Sequence, residues 1–380
     1  MPPISAIDII PRKRFQKTLE TELELDFLGV RAIADNTNRN PPSTRYRGSK
    51  LKLLSWLWTN LSSLKFESAL DCFGGTASVS HLLKSHGVAV TYNDQLQFNH
   101  QIGQALIANS RSRLTDEDVA MLLQRHNGVE YDDFIARTFG GVYFTKSENE
   151  WLDMMCRNIG FLRGPNKKAL AYFALFQACL IKRPFNLFHR RNLYLRFARV
   201  ERTFGNKRTW DKSFTTHFKR FVGEANQAVF DSGVPCSAVC YDALNVPLQD
   251  YDLVYIDTPY VRVNGSGDDY LDCYHFLEGL VDYDGWAARL DYTRKHLPFR
   301  HVPMPFVNNG SVQSIFSQLF ERYADSIIVV SYRNDGIPSE EELIGLLKEV
   351  KTKVRLVRYG NYQYALSPNG NSNEILLIGT

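Results

Sequence analysis

"SALDCFGGTASVSHLLKSHGVAVTYND", residues 68–94, is the stretch of sequence that decides the fold. It begins with a short apolar strand that ends at Asp71, and two adjacent glycines then turn the chain. Residues 76–87 carry apolar side chains at helical spacing, and residues 88–94 form a second strand that ends at Asp94. Because a strand, a glycine turn, a helix and a strand in this order build parallel sheets, the sequence predicts an α/β fold.

The same alternation returns far along the chain. Residues 238–244, 251–260 and 326–332 have the composition of buried strands, and Ser339 with Glu342 forms a capping box at the start of a further helix. The segments "YQYALS" and "NEILLIGT", which flank "PNGNSN", are typical of a closing β-hairpin. The prediction is therefore a Rossmann-like domain with a mixed, mainly parallel sheet.

Residues 95–235 interrupt this alternation with a long helical, aromatic and basic segment. From Arg157 to Arg220 there are 16 Lys and Arg residues and only two acids, Glu201 and Asp211, so this part carries a net charge of +14 in a chain whose total is +4. An uneven distribution of this size is typical of a surface that binds a polyanion such as nucleic acid.

We therefore divide the chain into three predicted units. Residues 1–40 are polar and irregular and form an N-terminal arm. Residues 41–100 and 236–380 form the α/β domain, and residues 101–235 form an inserted, mainly helical domain.

The composition limits the class of protein. With 44% hydrophobic and 23% charged residues, the chain has the composition of a folded globular protein. Its longest apolar run, residues 169–181, is too short to cross a bilayer and contains Gln177, and the amino terminus lacks the pattern of a secretory signal. We therefore expect a cytoplasmic protein without a membrane partner. The six cysteines have no CxxC pair and no zinc-ligand spacing, so we predict reduced thiols and no metal site.

Acidic residues end four successive predicted strands, and they are Asp71, Asp94, Asp242 and Asp257. The carboxyl ends of parallel strands meet in one crevice, which is where α/β folds bind ligands. We expect Asp94 to accept hydrogen bonds from both hydroxyl groups of a ribose, and Asp242 to accept a hydrogen bond from the amino group of an adenine ring. Taken one at a time, Asp71 and Asp242 are also explained as helix caps or turn residues.

Two backbone features fit a ligand of this kind. Gly74 and Gly75 let the main chain approach a nucleotide closely at the start of a helix. In "TRYRGSK", residues 44–50, the free amides that follow Gly48 and the ammonium group of Lys50 suit a carboxylate, although an ordinary helix cap explains the same residues.

The tetrapeptide "DTPY", residues 257–260, fits the chemistry of amine methylation. An exocyclic amine on adenine is a poor nucleophile because its lone pair is delocalised into the ring. Asp257 and the carbonyl group of Thr258 can accept hydrogen bonds from both amine hydrogens, and Pro259 stiffens the turn that holds them. Tyr260 offers a flat face for a base that has left the duplex. A strand that ends in a proline turn, with the aspartate in an ion pair, explains the tetrapeptide equally well when it is considered alone.

The order of "RGSK", "DCFGGTASVS", "YND", a long basic insertion, "YDAL", "DTPY" and "SYRNDGIPSEEEL" resembles the Dam-like DNA adenine-N6 methyltransferases, the alpha group of the amino methyltransferases. The resemblance extends over residues 44–380. It implies that S-adenosylmethionine is the cofactor and that residues 257–260 are the catalytic motif. The residues that it implies as cofactor contacts are Tyr46, Arg47, Gly48, Lys50, Asp71, Phe73, Gly74, Gly75, Thr76, Asp94, Asp242, Ala243 and Asp257.

The sequence departs from the pattern of the family at two positions. The family usually has proline second in the catalytic motif, where this chain has Thr258; this position contributes mainly its backbone carbonyl, so we expect activity to survive. The glycine motif of the family usually ends in glycine, where this chain has Ala77, and an extra methyl group there is expected to adjust the packing of the cofactor.

The family places its target recognition domain between the second and third cofactor motifs, which is where the basic insertion lies. Within the insertion, "KRPFNLFHRRNLYLR", residues 182–196, interleaves basic and aromatic side chains, as nucleic-acid contacts do. A solvated loop is the simpler explanation of this stretch, but the net charge of +14 around it argues against that explanation. The predicted DNA contacts are Lys182, Arg183, Asn186, His189, Arg190, Arg191 and Arg196.

The resemblance implies a site-specific reaction on double-stranded DNA, in which a methyl group passes from the cofactor to N6 of a flipped-out adenine without a metal. The resemblance also implies a role in restriction-modification or in genome marking. In restriction-modification, the partner would be a cognate restriction endonuclease. One alternative is methylation of N4 of cytosine, against which Asp257 argues because those enzymes usually have serine first in the motif. Another is a catalytically silent DNA-binding or specificity subunit, against which the intact Asp257, Pro259 and Tyr260 argue. The sequence predicts neither the recognised DNA site nor the oligomeric state.

Overall fold

A computed structural model describes residues 39–198, 206–262, 267, 269–307, 310–360 and 373–380. Its strands are β1 (Ser68–Asp71), β2 (Ala89–Asn93), β3 (Ser237–Val239), β4 (Leu253–Ile256), β5 (Val261–Arg262), β6 (Ile327–Arg333), β7 (Gly336–Ile337), β8 (Val354–Arg358) and β9 (Glu374–Gly379). A seven-stranded sheet has the order β3-β2-β1-β4-β6-β9-β8, and β5 pairs with β7 in a separate two-stranded ribbon.

The large sheet is mixed and mainly parallel, as the sequence predicts. β1 pairs in parallel with both β2 and β4, and β3 and β6 extend the sheet in parallel on either side. The strand order therefore reverses between β1 and β4, and ligands bind at such a reversal in open α/β sheets. Asp71 pairs with Tyr255 in this register, so Asp257 follows two residues beyond the pair at the same edge.

Antiparallel strands at the carboxyl end of the chain complete the sheet. β9 is antiparallel to both of its neighbours, β6 and β8. The strand that precedes it in the sheet is Val354–Arg358, whereas "YQYALS" lies outside the described residues. The strand character of "NEILLIGT" is confirmed, and each residue of β9 is buried because both faces of the strand pack against hydrophobic clusters, with Leu376 in one and Leu377 in the other.

Helices cover the sheet and form the insertion. The α-helices are α1 (Leu54–Leu61), α2 (Ser78–Ser85), α3 (Gln97–Gly103), α4 (Asp116–Leu122), α5 (Phe134–Thr138), α6 (Lys146–Ile159), α7 (Pro165–Lys182), α8 (Tyr194–Phe197), α9 (Asn206–Asp211), α10 (Phe214–Ala228), α11 (Tyr270–Val281), α12 (Trp286–Arg289), α13 (Val312–Arg322) and α14 (Glu340–Val350). A π-helical turn, Gln104–Ala108, continues α3, and short 3₁₀ turns cover Leu51–Leu53, Pro184–Asn186, Ala243–Asn245 and Pro305–Val307. The predicted capping box at Ser339 and Glu342 is confirmed at the start of α14.

The described part of the insertion consists of helices and loops, in agreement with its predicted helical character. Its buried side chains, for example Phe176 and Phe218, belong to the same hydrophobic cluster as Ala69 in the sheet. The predicted boundary at residue 101 lies inside a continuous helical stretch, residues 97–108. The insertion is thus packed against one face of the sheet, and its division from the α/β domain stays a prediction.

Helix α11, which follows residues 257–260 in the chain, packs into the insertion. The ring of Phe276 on α11 stacks on Phe188, with centroids 5.1 Å apart and planes 6° from parallel. The backbone N–H of Phe188 donates to the carbonyl of Cys273 on the same helix at 2.8 Å. Helix α11 therefore connects the insertion to the edge of the sheet where residues 257–260 lie. None of the helices in the described ranges is long and apolar enough to cross a membrane.

Candidate active site

A cleft of about 850 Å³ lies at the carboxyl ends of β1, β2 and β4, where the strand order reverses. The predicted cofactor and catalytic residues that line it are Tyr46, Gly48, Lys50, Asp71, Phe73, Gly74, Gly75, Thr76, Asp94, Ala243, Asp257, Thr258, Pro259 and Tyr260. Arg47 and Asp242 are neighbours of lining residues but are not themselves part of the wall. The fold thus brings residues from five separate stretches of sequence into one cleft.

The glycine turn after β1 is shaped by the ring of Tyr92. A Cβ atom at Gly74 would lie 2.0 Å from Cε2 of Tyr92, so only glycine fits there. The tyrosine hydroxyl donates to the carbonyl groups of Gly75 and Asn99, each at 2.9 Å, which fixes the ring. Gly75 has a φ of +48°, a left-handed value that favours glycine. Both glycines are therefore needed for the shape of the turn, and they also keep this part of the wall open.

Asp94 is held rigidly at the end of β2. Its Oδ2 accepts hydrogen bonds from the N–H of Gly75 and the side-chain amide of Asn99, both at 3.0 Å, and its Oδ1 accepts from the N–H of Leu96 at 2.9 Å. Burial raises the pKa of this carboxyl to about 6, although the three hydrogen bonds oppose the shift. A fixed acceptor in this place suits the hydroxyl groups of a ribose.

Asp71 is a buried carboxyl group, and one of its two oxygens has no hydrogen-bond partner among the described residues. Ser80 Oγ donates to its Oδ2 at 2.6 Å, while its Oδ1 is buried and has no hydrogen-bond partner among the described residues. Burial raises its pKa to about 7, and the negative charges of Asp257 and Asp94 add to the shift. A buried acceptor without a partner is costly, so a donor or cation supplied by a ligand would stabilise it.

Ala77 occupies the last position of the glycine motif in a left-handed conformation. Its φ is +59° and it directly precedes α2, without a side-chain cap at this end of the helix. An alanine in this region costs about 1 kcal/mol relative to a right-handed one. The methyl group is fully buried and does not line the cleft, so this departure from the family strains the backbone and takes no space from a cofactor.

The carboxyl group of Asp257 is anchored through one of its oxygens. Its Oδ1 lies 2.9 Å from Nζ of Lys50 and accepts a hydrogen bond from the hydroxyl of Tyr260 at 2.9 Å. The ammonium group also donates to the Tyr260 hydroxyl at 2.5 Å and lies 3.1 Å from Oε1 of Glu374. Oδ2 of Asp257 has no such contact within the described residues, and the carboxyl lines the cleft. The second oxygen is thus the acceptor that a ligand can use.

Charge balance inside this cluster is uneven, because one ammonium group faces two carboxylates. Burial raises the pKa of Asp257, and the charge of Glu374 raises it further, while Lys50 opposes both effects. Burial disfavours the charge on Lys50, but Asp257 and Glu374 outweigh burial and raise its pKa. Lys50 therefore remains an ammonium group over the whole physiological range.

The two residues after Asp257 continue the wall of the cleft. Thr258 is buried, its hydroxyl oxygen has no partner among the described residues, and none of the hydrogen bonds within the described chain uses its carbonyl group. The carbonyl is therefore free to accept a hydrogen bond from a ligand. The ring of Tyr260 packs edge-on against Tyr332, with the centroids 5.1 Å apart.

Asp242 and Tyr46 have structural partners next to the cleft. Asp242 accepts from the N–H of Leu244 at 2.9 Å and so caps a 3₁₀ turn, which agrees with the alternative explanation of this residue as a cap. Tyr46 stacks on Tyr274 of α11 at 4.6 Å and 12°, and its hydroxyl accepts from Asn99 at 3.2 Å. The stack joins the segment before Lys50 to helix α11.

Three of the predicted DNA contacts lie inside the protein. Lys182 and Arg196 both form ion pairs with Glu148, at 2.8 and 2.7 Å. Arg183 is 1% exposed and donates to the backbone carbonyl of Leu187 through two of its nitrogens. No sequence pattern indicates these partners, because Glu148 is distant in sequence from Lys182 and Arg196, and Arg183 binds a backbone carbonyl, which no residue type marks. We therefore do not assign Lys182, Arg183 and Arg196 to DNA.

The other four predicted DNA contacts lie at the surface. Arg190 and Arg191 are exposed, and Asn186 and His189 are half-buried. Burial lowers the pKa of His189, and the positive charges of Arg190 and Arg47 lower it further. Since Arg47 directly precedes a residue that lines the cleft, this surface lies beside the cleft rim. Phe185, which is 58% exposed, precedes Asn186, and both have left-handed φ values, +61° and +57°.

Several residues of the cleft were not anticipated from the sequence. Tyr270 and Asn99 line it, and Glu374 contacts the ammonium group of Lys50 from the last strand. Ser331 on β6 donates to Glu374 Oε1 at 2.5 Å. The one available signal was a single acid at the start of an otherwise apolar strand, "EILLIG". The strand pairing that carries this acid to the site is non-local.

Comparisons with known proteins agree with this arrangement. The model of the family described as D12 class N6 adenine-specific DNA methyltransferase matches residues 46–335, more than half of the chain. The match includes the glycine turn, the insertion and the catalytic tetrapeptide. It ends before the strand that contains Glu374.

Individual relatives are distant but extensive. The chain is 27% identical to the type II methyltransferase M2.HphI of Haemophilus parahaemolyticus, and the match covers 84% of this chain and 91% of that protein. It is 22% identical to the type II methyltransferase M.NlaIII of Neisseria lactamica, over 83% of this chain and 89% of that protein. It is 24% identical to the modification methylase StsI of Streptococcus sanguinis and spans 49% of that longer protein.

Proposed function

The chain belongs to the D12 class N6 adenine-specific DNA methyltransferases, and from this premise we propose which atoms of the cleft perform the reaction. As a member of that class it methylates adenine in DNA at N6. The cleft binds S-adenosylmethionine beside an adenine that has left the duplex, and Asp257 prepares N6 for methylation. The observation that carries this proposal is the asymmetric anchoring of Asp257, whose Oδ1 is held by Lys50 and Tyr260 while Oδ2 is left for the substrate.

The residues of the cleft fit the proposed cofactor. The cleft is concave and combines apolar walls with a few polar and charged groups, as small-molecule sites do. The unpartnered Oδ1 of Asp71 suits a positively charged or hydrogen-bond-donating group, the fixed carboxylate of Asp94 suits a ribose, and the ring of Phe73 forms an apolar wall with Phe306 at 4.9 Å. Ala243 completes that wall. When bound, the cofactor supplies an electrophilic methyl group on a sulfonium.

The catalytic tetrapeptide would act on the target amine by orienting its two hydrogens. Asp257 Oδ2 accepts a hydrogen bond from one of them, and the carbonyl group of Thr258 accepts from the other. Because both acceptors are fixed before the reaction, they localise the nitrogen lone pair without reorganisation. The rigid Pro259 keeps the two acceptors in register, and Tyr260 presents a ring at the cleft wall on which the extruded base can stack.

The insertion would hold the duplex so that its target base reaches the cleft. Exposed Arg190 and Arg191 neutralise phosphates, and Asn186 and His189 lie where base or phosphate contacts are expected. Arg47 continues this positive surface to the rim of the cleft. These two tasks, methyl transfer and DNA recognition, match the predicted domains. The α/β catalytic domain is predicted at residues 41–100 and 236–380, and the target recognition domain at residues 101–235.

A role in restriction-modification is the biological context that we propose. Three relatives are named as type II methyltransferases and one as a modification methylase. A protein of this kind acts on the DNA of its own cell, in the cytoplasm, and is paired with an endonuclease that recognises the same DNA site. Methylation at adenine N6 would then protect that site from cleavage.

The test measures methyl transfer from labelled S-adenosylmethionine to a long duplex DNA that contains no N6-methyladenine. Wild-type protein is compared with Asp257→Asn. We expect incorporation by the wild type and a loss of at least about 100-fold in the variant, because the asparagine side chain offers one neutral acceptor in place of a carboxylate. Asp250→Asn, at an exposed position, is the matched control and should retain activity.

Mass analysis of the digested product identifies the methylated base. N6-methyladenine is the expected product, and N4-methylcytosine would contradict the assignment of the base. Tight binding of cofactor and DNA by the wild type without any incorporation would identify a silent specificity subunit and overturn the proposal. Equal activity of Asp257→Asn and wild type would remove Asp257 from the mechanism.

A further inference from the structure

Glu374 is the most deeply buried charged group next to the catalytic carboxylate. It is the first residue of β9, and its side chain is 0% exposed. Its Oε1 atom lies 3.1 Å from Nζ of Lys50, accepts from Ser331 Oγ at 2.5 Å and lies 3.4 Å from the hydroxyl of Tyr260. One oxygen atom therefore joins three elements of the fold around the group that anchors Asp257.

Such a carboxylate is costly for folding alone. Two acids, Asp257 and Glu374, contact the ammonium group of Lys50, and the side chain of Glu374 is fully buried. Replacing a buried ion cluster by apolar side chains of similar size is often neutral or stabilising. The cluster is therefore better explained by a task in the active site than by stability.

We propose that Glu374 is a positioning residue of the methyl transfer reaction, which fixes Lys50 and Tyr260 against Asp257 and, by sharing the charge of Lys50, keeps Asp257 a strong hydrogen-bond acceptor. This inference rests on the proposed function of Asp257. Glu374 itself does not line the cleft, so it acts through its neighbours.

The physical reason is competition for one cation. An ammonium group that belonged to Asp257 alone would draw electron density from the carboxylate and weaken its hydrogen bond to the target amine. Nζ of Lys50 lies 3.1 Å from Glu374 and 2.9 Å from Asp257, so both carboxylates are within ion-pair distance of the same ammonium group. Lys50 then orients Oδ1 of Asp257 while Oδ2 keeps its affinity for protons and for donors.

The competition makes a prediction about pH. Burial and Glu374 both raise the pKa of Asp257, and Lys50 lowers it. Asp257 must be ionised to accept from the amine, so the rate of methyl transfer rises with pH through this pKa. Removing the charge of Glu374 lowers that pKa and moves the acid limb of the rate to lower pH. The other titratable groups that interact with Asp257 are Asp71, Tyr255, Tyr260 and Tyr270, and the substitution leaves all of them in place.

The experiment compares single-turnover methylation by wild type, Glu374→Gln and Glu349→Gln from pH 5 to pH 9, with cofactor and DNA at saturation. Glutamine keeps the size of residue 374 but removes its charge. We expect Glu374→Gln to slow the reaction by about 10- to 100-fold, as loss of a group that orients a reacting residue does. Its acid limb should lie at lower pH than in wild type, while the affinities for cofactor and DNA stay within about two-fold. Glu349→Gln, the matched control on the exposed face of α14, should behave as wild type.

The possible results separate the two proposals. An inactive wild type would contradict the proposed function itself. An active wild type with a Glu374→Gln acid limb at the same pH, or with an unchanged rate, would overturn the role of Glu374 alone.

If Glu374→Gln methylates slowly but its acid limb lies at the same pH as in wild type, Glu374 contributes only to packing. That result would also overturn the proposed positioning role. If Glu374→Gln does not fold, Ser331→Ala decides, because it removes one hydrogen bond that fixes the Glu374 carboxylate and leaves Asp257 untouched. A rate several-fold below wild type with unchanged cofactor affinity supports the proposal, and a rate within two-fold of wild type overturns it.

Discussion

Replacing Asp71 by asparagine should make the protein more stable at alkaline pH. In the folded protein, burial raises the pKa of Asp71 from 3.8 to about 7, with the charges of Asp257 and Asp94 as further causes. The folded state therefore binds the Asp71 proton more tightly than the unfolded state does. The contribution of Asp71 to the free energy of unfolding is then highest below pH 4 and falls as the pH rises from about 4 to about 7.

The size of the effect follows from the difference between these two pKa values. At about 1.4 kcal/mol for each pH unit between them, ionised Asp71 costs the folded protein about 4 kcal/mol above pH 7, which is an upper limit because the site can relax. The asparagine of the variant is neutral at every pH and can still accept the hydrogen bond from Ser80. The variant should thus gain up to about 4 kcal/mol over wild type at pH 8 and less than half of that at pH 5.

Urea unfolding at pH 5, 6, 7 and 8, followed by tryptophan fluorescence, measures this difference. Asp252→Asn is an informative control, because hydrogen bonds from the N–H groups of Glu67 and Ser68 lower the pKa of Asp252. That shift has the opposite sign, so Asp252→Asn should lose stability at neutral pH. A gain for Asp71→Asn that does not depend on pH, or a loss at pH 8, would refute the reasoning about burial.

The same variant tests why the chain retains a costly carboxylate. If Oδ1 of Asp71 serves the cofactor, Asp71→Asn should bind S-adenosylmethionine more weakly even though it is more stable, which is the usual trade between stability and activity. Calorimetric titration of cofactor into both proteins measures this. Equal affinity in the two proteins would remove Asp71 from the cofactor site.

Three further outcomes follow from particular contacts. Gly74→Ala should cost more than about 3 kcal/mol in the free energy of unfolding, since its Cβ would enter a buried tyrosine ring, whereas Gly75→Ala, which meets only the strain of a positive φ, should cost about 1 kcal/mol. Arg183→Met should lower the free energy of unfolding by about 2–4 kcal/mol, because it leaves buried carbonyl groups without donors, and it should leave the salt dependence of DNA binding unchanged. Arg190→Ala combined with Arg191→Ala should weaken DNA binding and reduce the slope of log K against log salt by about two, with stability unchanged; an unaltered slope would place DNA elsewhere.

Local patterns in the sequence were sufficient for the central part of the fold. Residues 68–94 contain a strand, a glycine turn, a helix and a strand, and each of these follows from the spacing of apolar residues within a few positions. The acids at the strand ends then fall into one cleft because parallel strands end at the same edge of a sheet. Asp71, Asp94 and Asp257 were found in this way, and all three line the cleft.

Non-local partners limited the rest of the prediction. The basic stretch of the insertion has a uniform pattern of Lys and Arg, yet Lys182 and Arg196 bind Glu148, which lies more than thirty residues earlier. Charge counts show that a segment is basic but not which of its cations already have partners inside the protein. Arg190 and Arg191, which lie at the surface, differ from the buried cations only in the folded structure, where α6 brings Glu148 next to Lys182 at the end of α7.

The anchoring of Asp257 shows why the site is a property of the whole fold. Its partners come from the loop before the first helix, from the strand turn itself and, through Glu374, from a strand at the opposite end of the sequence. That strand reaches the site only because β9 inserts between β6 and β8, antiparallel to both. In the proposed mechanism the tetrapeptide supplies the accepting oxygens, and the completed sheet holds the groups that orient them.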